Sequence, residues 1–234
     1  MNSDETAQQR RFFNIGKHQY AQASILVPPL HTRLEIQAIL TRLNVSDPEA
    51  TILDFGAGTG RLTIPLLQRG FSVLSVDISD QSLKKLTTLA HSNGFTRLET
   101  TDALPTDRRF KTIVGADILH HVDLDEQLPK IHQALEPGGK AIFTEPGGLH
   151  PFWYVFITVI SDWRIEKNIP RCNFFNLRAK FRKYGFRDIR ITGLGILPRP
   201  LANWSLKACS TNDLWGNIPL IRPFAYRYIV EATV

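Results

Sequence analysis

Three groups of residues in this chain have the types and spacing to do chemistry. Leu53 to Arg61 reads Leu-Asp-Phe-Gly-Ala-Gly-Thr-Gly-Arg, so Gly56, Gly58 and Gly60 alternate with Ala57 and Thr59, and Asp54 stands two residues before the first glycine. Glycines let the backbone take φ > 0 and let a ligand approach the main chain, so this turn suits a cofactor. The dinucleotide pattern would need a third glycine at position 61, where Arg61 stands, and an acid in the loop would repel a pyrophosphate. Asp54 suits a cationic ligand instead. Asp77 ends the apolar run Phe71 to Val76 about 20 residues past the first glycine, where a carboxylate can accept hydrogen bonds from a ribose diol. His120 and His121 follow another apolar run, and an imidazole that titrates near neutrality can take a proton from a hydroxyl.

Alternating strands and helices must hold these groups. Thr51 to Leu53 reads as a buried strand, Leu62 to Gln68 as a helix stopped by Gly70, and Phe71 to Asp77 as a second strand. A helix follows over Gln81 to Ser92, with Ser79 or Asp80 as its cap, then strands over Leu98 to Thr101 and Phe110 to Asp117. Asp123 to Leu135 has a helical apolar face, Glu136 to Lys140 is a turn, and Ala141 to Glu145 is a fifth strand. A basic helix over Phe174 to Tyr184, a sixth strand over Phe186 to Leu194 and a last strand over Tyr226 to Val234 complete the pattern, with an amphipathic helix over His31 to Leu43 ahead of it. Such alternation predicts a mostly parallel α/β sheet with ligands beyond the carboxyl ends of its strands. That geometry turns Ala116 and the crossing Ile118 to Val122 toward the ligand.

At 234 residues with 43% hydrophobic content, the chain can bury one full core with additions. Cys172 and Cys209 have neither metal-ligand nor redox spacing, which suits a reduced cytoplasmic protein. Met1 to Arg11 is polar and shows no secretory signal, and the longest apolar stretch, Leu149 to Ile160, is shorter than the about 20 residues a bilayer span needs. The net charge of +6 is unevenly placed: residues 1–160 carry a net of −2, and residues 161–234 a net of +8. The basic third suits an anionic substrate, a phospholipid surface or nucleic acid, or simply a solvated face.

The ordered motifs resemble those of the class I S-adenosylmethionine-dependent methyltransferases, small-molecule type, near the quinone and natural-product branch. Asp54 to Gly60 matches the family's (D/E)-x-G-x-G-x-G loop, and the turn at Glu136 to Lys140 before an apolar strand is also similar. The resemblance covers residues 51–145 and implies a Rossmann-like seven-stranded sheet with helices on both faces. It implies that Asp54, Gly56, Ala57, Gly58, Thr59 and Gly60 hold the methionine end of S-adenosylmethionine, and Asp77 the ribose. Asp102 and Ala103, with Ile78 and Leu104, would receive the adenine, Ala116 would face the sulfonium, and S-adenosylhomocysteine would be the product. By the same resemblance His121, then His120, is the candidate base, against a role in shaping the pocket. At the end of the fourth strand, Ala116-Asp117-Ile118-Leu119 is neither an Asn/Asp-Pro-Pro-Tyr/Phe motif nor followed directly by a cysteine, which lowers adenine or glutamine N-methylation and cytosine C5-methylation.

The resemblance divides the chain into an N-terminal helical flap (1–50) in which His18 or Tyr20 would touch ligand, the cofactor core (51–145), and the rest of the same domain (146–234). Insertions at 146–170 and 198–223 would form an acceptor lid. The aromatic residues of the first, Phe152, Trp153, Tyr154, Phe156 and Trp163, suit an apolar acceptor, a membrane surface or a homodimer contact. The expected reaction is methyl transfer to a small or lipid-linked acceptor at a hydroxyl oxygen, without a metal. Its rivals are C-methylation of a quinone or polyketide ring, then RNA methylation with nucleic acid ranked low, then a non-catalytic cofactor-binding partner.

Overall fold

The computed structural model describes residues 3–15, 22–43, 50–160 and 163–234. The expectation for His18 and Tyr20 falls outside these residues.

Three helices, α1 (Ser3–Ile15), α2 (Gln22–Leu26) and α3 (Leu30–Leu40), lead into β1 (Thr51–Phe55), α4 (Thr63–Gln68), β2 (Ser72–Val76), α5 (Asp80–Ser92), β3 (Leu98–Thr101) and β4 (Phe110–Ala116). Then come α6 (Leu124–Ala134), β5 (Leu135–Pro146), α7 (Pro151–Val155), α8 (Trp163–Glu166), α9 (Phe174–Lys183), β6 (Arg187–Leu194), α10 (Leu206–Gly216) and β7 (Arg227–Thr233). The strands form one sheet in the order β3-β2-β1-β4-β5-β7-β6, the seven-stranded, mostly parallel class that the sequence implies. β7 is inserted antiparallel to both β5 and β6. The parallel centre is buried on both faces, which is why Ile52, Leu53, Val73, Leu74, Ile113, Val114 and Ile142 read as continuous apolar runs.

Two layers cover the sheet. On one face α6 and α9 bury Leu128, Ile131, Leu177 and Phe181; on the other α3, α4 and α5 bury Ile39, Ile64, Leu66 and Leu86. Caps fix where the helices start: the Ser79 hydroxyl accepts from Ser82 N, the Asp123 carboxylate from Asp125 N, and the Asn173 side chain from Phe175 N and Asn176 N.

The turn read over Glu136 to Lys140 lies inside β5. Leu135 pairs with Phe110 and Lys140 with Thr112, so the extra residues bulge out while the strand continues through them. The first insertion folds as α7, a π-helical turn over Phe156–Ile160, α8 and a 3-10 turn over Ile169–Arg171. The second contains a 3-10 turn over Arg199–Ala202, α10 and another 3-10 turn over Arg222–Phe224. Among the described residues no helix is long and apolar enough to cross a membrane. Cys172 and Cys209 are buried and free.

Candidate active site

A cavity of about 840 Å³ opens beyond the carboxyl ends of β1, β2 and β4. On one side is the glycine turn. Gly56 N and Ala57 N donate to the Val76 carbonyl at 2.8 and 3.0 Å, tying the turn to the end of β2. Gly56 has φ +76°, and a Cβ there would lie 2.4 Å from Ile118; Gly58 has φ +53°, and a Cβ there would meet no atom within 4 Å. The turn is thus sterically sealed at its base and open at its tip, as a close-fitting ligand requires.

Asp77 joins the tip to the next helix. Its carboxylate accepts from Gly58 N and from Ser79 N, both at 2.8 Å. Each oxygen keeps acceptor capacity, and burial raises the carboxyl above its ordinary value despite both bonds. Ile78, Asp102, Ala103 and Leu104 continue this wall, and Ala116 closes it beneath. Two acids with three apolar side chains in one lining fit an adenosyl group. Helix α1 lies over this half: Gln9 and Phe13 line the cavity, Asn14 Oδ1 accepts from the Ser79 hydroxyl at 2.7 Å, and Arg10 lies 3.9 Å from Asp102.

Two of the residues expected here stand back. Asp54 does not line the cavity: it is buried under the turn, where its carboxylate accepts from the Thr63 hydroxyl at 2.6 Å, and burial, with the nearby charge of Asp77, pushes it up to about 7. Gly60 is also off the lining, its missing Cβ making room for Leu86. Ala57, Thr59 and the other glycines of the turn do reach the cavity.

The adjacent histidines have opposite electrostatics. His120 Nδ1 lies 2.7 Å from Glu145 Oε2, and its Nε2 lies 3.3 Å from Glu166 Oε2. Burial would lower its pKa, but the two carboxylates outweigh it and push it up to about 10. Glu145 is fixed in turn, accepting from Ile118 N and Leu119 N at 2.9 and 2.7 Å. His121 is buried; desolvation and the neighbouring His120 cation outweigh the opposite pull of Asp117 and hold it well below the ordinary histidine value, so it is neutral near pH 7. Its Nδ1 has no hydrogen-bond partner among the described residues. The ring sits 3.9 Å from that of His120 and packs edge-on against Phe13 at 5.2 Å. His120, His121 and Glu166 bring one ligand-type atom each within 4.8 Å of one another, a grouping that metal-binding sites share.

The sequence reading missed the opposite wall. Glu35 of α3 lies 2.8 Å from Arg61, 3.0 Å from Arg227 and 3.3 Å from Arg199; Arg227 also reaches Asp117 at 2.6 Å, and Arg199 reaches Asp213 at 2.9 Å. Arg61 pairs with Asp117 as well. Arg227 and Arg61 overcome the burial of Asp117 and hold its carboxyl far below the usual range. Asp117 also has φ +57°, a strained conformation for a non-glycine residue. Arg61 and Asp117 adjoin the glycine turn and the fourth strand, so their neighbourhood was a signal; Glu35, Arg199 and Arg227 carried none beyond being charges within apolar segments. Aromatic Phe152, Trp153, Phe156 and Tyr226 complete this wall, with Trp153 Nε1 donating to the Tyr226 carbonyl at 2.8 Å.

Residues 30–191 match the family described as a methyltransferase domain. The chain belongs to that methyltransferase family. Over 90 residues it is 34% identical to an uncharacterized methyltransferase of Mycobacterium tuberculosis, a match covering 38% of this chain and only 37% of that protein. It is 27% identical over 198 residues to a ubiquinone biosynthesis O-methyltransferase of Rickettsia felis, covering 80% of this chain and 79% of the relative. Among solved structures, geranyl diphosphate C-methyltransferase of Streptomyces coelicolor, in complex with S-adenosyl-L-homocysteine, shares the fold with a TM-score of 0.64, at 15% identity, over 100% of this chain and 99% of that one. Phosphoethanolamine N-methyltransferase 2 of Haemonchus contortus, crystallised with S-adenosyl-L-methionine, aligns with a TM-score of 0.62 at 19% identity, over 96% of this chain and 59% of that one. S-adenosylmethionine is the cofactor of this family, and the glycine turn, Asp77 and the Ile78–Ala103 wall fit it.

Proposed function

We propose that this methyltransferase transfers a methyl group to a hydroxyl oxygen of a small or lipid-linked acceptor, with His121 taking the hydroxyl proton. The observation that carries this reading is the buried, neutral imidazole of His121 on the cavity lining, beside a His120 that its two carboxylate neighbours hold as a cation at neutral pH. S-adenosylmethionine, when bound, supplies an electrophilic methyl on a positively charged sulfur. The chain's own residues do the rest. The open tip at Gly58 admits the cofactor to the backbone, Asp77 accepts from its ribose hydroxyls, and Asp102 and Ala103 receive the adenine. The wall of Phe152, Trp153, Phe156 and Tyr226 takes an apolar acceptor and excludes water, and positioning of this kind accounts for much of the rate of an in-line displacement.

As the acceptor oxygen forms its bond to the methyl carbon and the carbon–sulfur bond breaks, leaving the neutral thioether, the acceptor's proton passes to the unprotonated ring nitrogen of His121. The weak basicity of His121 is no obstacle, because a hydroxyl that has gained an alkyl group is strongly acidic. The nearby His120 cation then favours return of that proton to water.

His121→Gln tests the reading. Calorimetric titration with S-adenosylmethionine should give wild-type affinity, while methyl transfer to a panel of catechols and hydroxyquinones falls about 10²–10⁴-fold. Undiminished transfer in the variant would remove His121 as base. Product analysis by mass and NMR that located the methyl on carbon would replace O-methylation with C-methylation.

A further inference from the structure

Apolar exposure is concentrated in one part of this molecule. Among the described residues, nine of the fifteen exposed large apolar side chains fall within residues 197–224, including Trp204 at 80% and Leu220 at 88% exposure. Trp204 immediately precedes α10, which itself presents Leu206, Leu214 and Trp215 to solvent, and Leu220 follows it. A single segment rarely exposes so many large apolar side chains without a use for them.

The charges in this segment are one-sided. Its cations are Arg199, Lys207 and Arg222, and its one acid is Asp213. Asp213 points inward to the buried Arg199 at 2.9 Å, so it does not offset the outer charges. Lys207 is exposed, and half-buried Arg222 donates to the Asn217 carbonyl and pairs with no carboxylate among the described residues. The outer face therefore combines tryptophan and leucine side chains with cations and lacks a carboxylate, within a C-terminal third of net charge +8.

This face adjoins the cavity. Arg199 and Pro200, at its start, line the cavity wall. Across the mouth, α7 repeats the arrangement: Phe152 and Trp153 line the cavity while Tyr154 and Val155 are exposed. Apolar side chains thus run from the inner wall to the outer surface on both insertions.

We infer that residues 197–224 dock the protein on an anionic phospholipid surface, placing the cavity mouth against the membrane from which a lipid-linked acceptor enters. The inference rests on the reading of the cavity as an acceptor site. Composition and charge single out the membrane over a second copy of the chain. A two-fold contact through this face would set its cations against themselves, whereas anionic headgroups complement them. Apolar side chains among basic residues are also the composition of segments that lie in the membrane interface.

The test uses the full chain in co-sedimentation with vesicles of phosphatidylcholine, alone or mixed with phosphatidylglycerol. The wild-type protein should pellet with the mixed vesicles and bind more weakly at high salt. Joint Trp204→Ser and Leu220→Ser substitution should lower the partition coefficient roughly tenfold or more, and Lys207→Glu should remove most of the preference for phosphatidylglycerol. These residues do not line the cavity, so calorimetric titration with S-adenosylmethionine should give wild-type affinity in both variants and confirm that they are folded. Wild-type protein left in the supernatant, or a double variant that partitions equally, would overturn the inference. So would light scattering that showed a dimer dissolved by the double substitution without vesicle binding, which would assign the face to a second copy. Methyl transfer to water-soluble acceptors reports on the proposed function separately, so that reading can fail while vesicle binding stands, and the reverse.

Discussion

The two walls of the cavity are built by different rules. The wall of the glycine turn is local and mostly backbone: a turn with glycines at positive φ and the Asp77 carboxylate gripping its tip from 19 residues away. The opposite wall is assembled from side chains distant in sequence, with Arg227 and Glu35 separated by 192 residues. Sequence can fix the first because a turn's geometry follows from its own residues. The second exists only once α3, the glycine turn, β4 and β7 have met.

The comparison can be broken at either wall. The largest expected effect is in the distant one: Glu35→Gln leaves Arg199 and Arg227 buried without their shared anion, and chemical denaturation should report a loss of about 3–5 kcal/mol. Cofactor affinity measured below the unfolding transition should stay near wild type; if it collapsed instead, the two walls would not be separable. Asp77→Ala should have the reverse profile, with S-adenosylmethionine affinity falling roughly ten- to hundredfold by calorimetry and a smaller loss of stability, as expected for hydrogen bonds to a charged group.

The histidine pair sharpens the contrast through pH. His120, pushed up to about 10, holds its proton more tightly folded than unfolded. Its contribution to stability is therefore complete below about 6.5 and is lost as pH rises toward 10. His121 is shifted the other way, so its contribution is present above about 6.5 and is lost as pH falls below it. Melting temperature should accordingly pass through a maximum near neutrality, and His120→Gln should flatten its alkaline limb. An unchanged alkaline limb would mean that His120 is not held as a cation. The smallest effect is expected for Trp153→Phe, which removes the bond to the Tyr226 carbonyl and should cost about 1 kcal/mol in denaturant midpoint measurements.

Much of the fold was legible because burial on both faces writes long apolar runs. β3 occupies the four residues Leu98–Thr101 that its pattern marks, and α5 starts at the cap that Ser79 supplies. The Glu136–Gly139 stretch misled because its glycines favour a turn, while pairing on either side of it, at Leu135 and Lys140, carries the strand through as a bulge. In the site, Asp77, Ala103 and the histidines line the cavity, since strand ends point there in any open parallel sheet. Asp54 was read as a contact because its position in the motif is visible, whereas its partner Thr63 lies within the next helix. Glu35 was hidden for the opposite reason: a lone acid on a mostly apolar helix has no local meaning until three arginines arrive.

The antiparallel placement of β7 has a consequence for the order of assembly. Until residues 227–233 slot between them, β5 and β6 have no partner for their facing edges, and Arg227 cannot join Glu35 and Asp117 in the cavity wall. A growing chain can close the glycine turn early, but it must hold two open strand edges until its last strand arrives, and during that interval it is most exposed to pairing with the wrong partner.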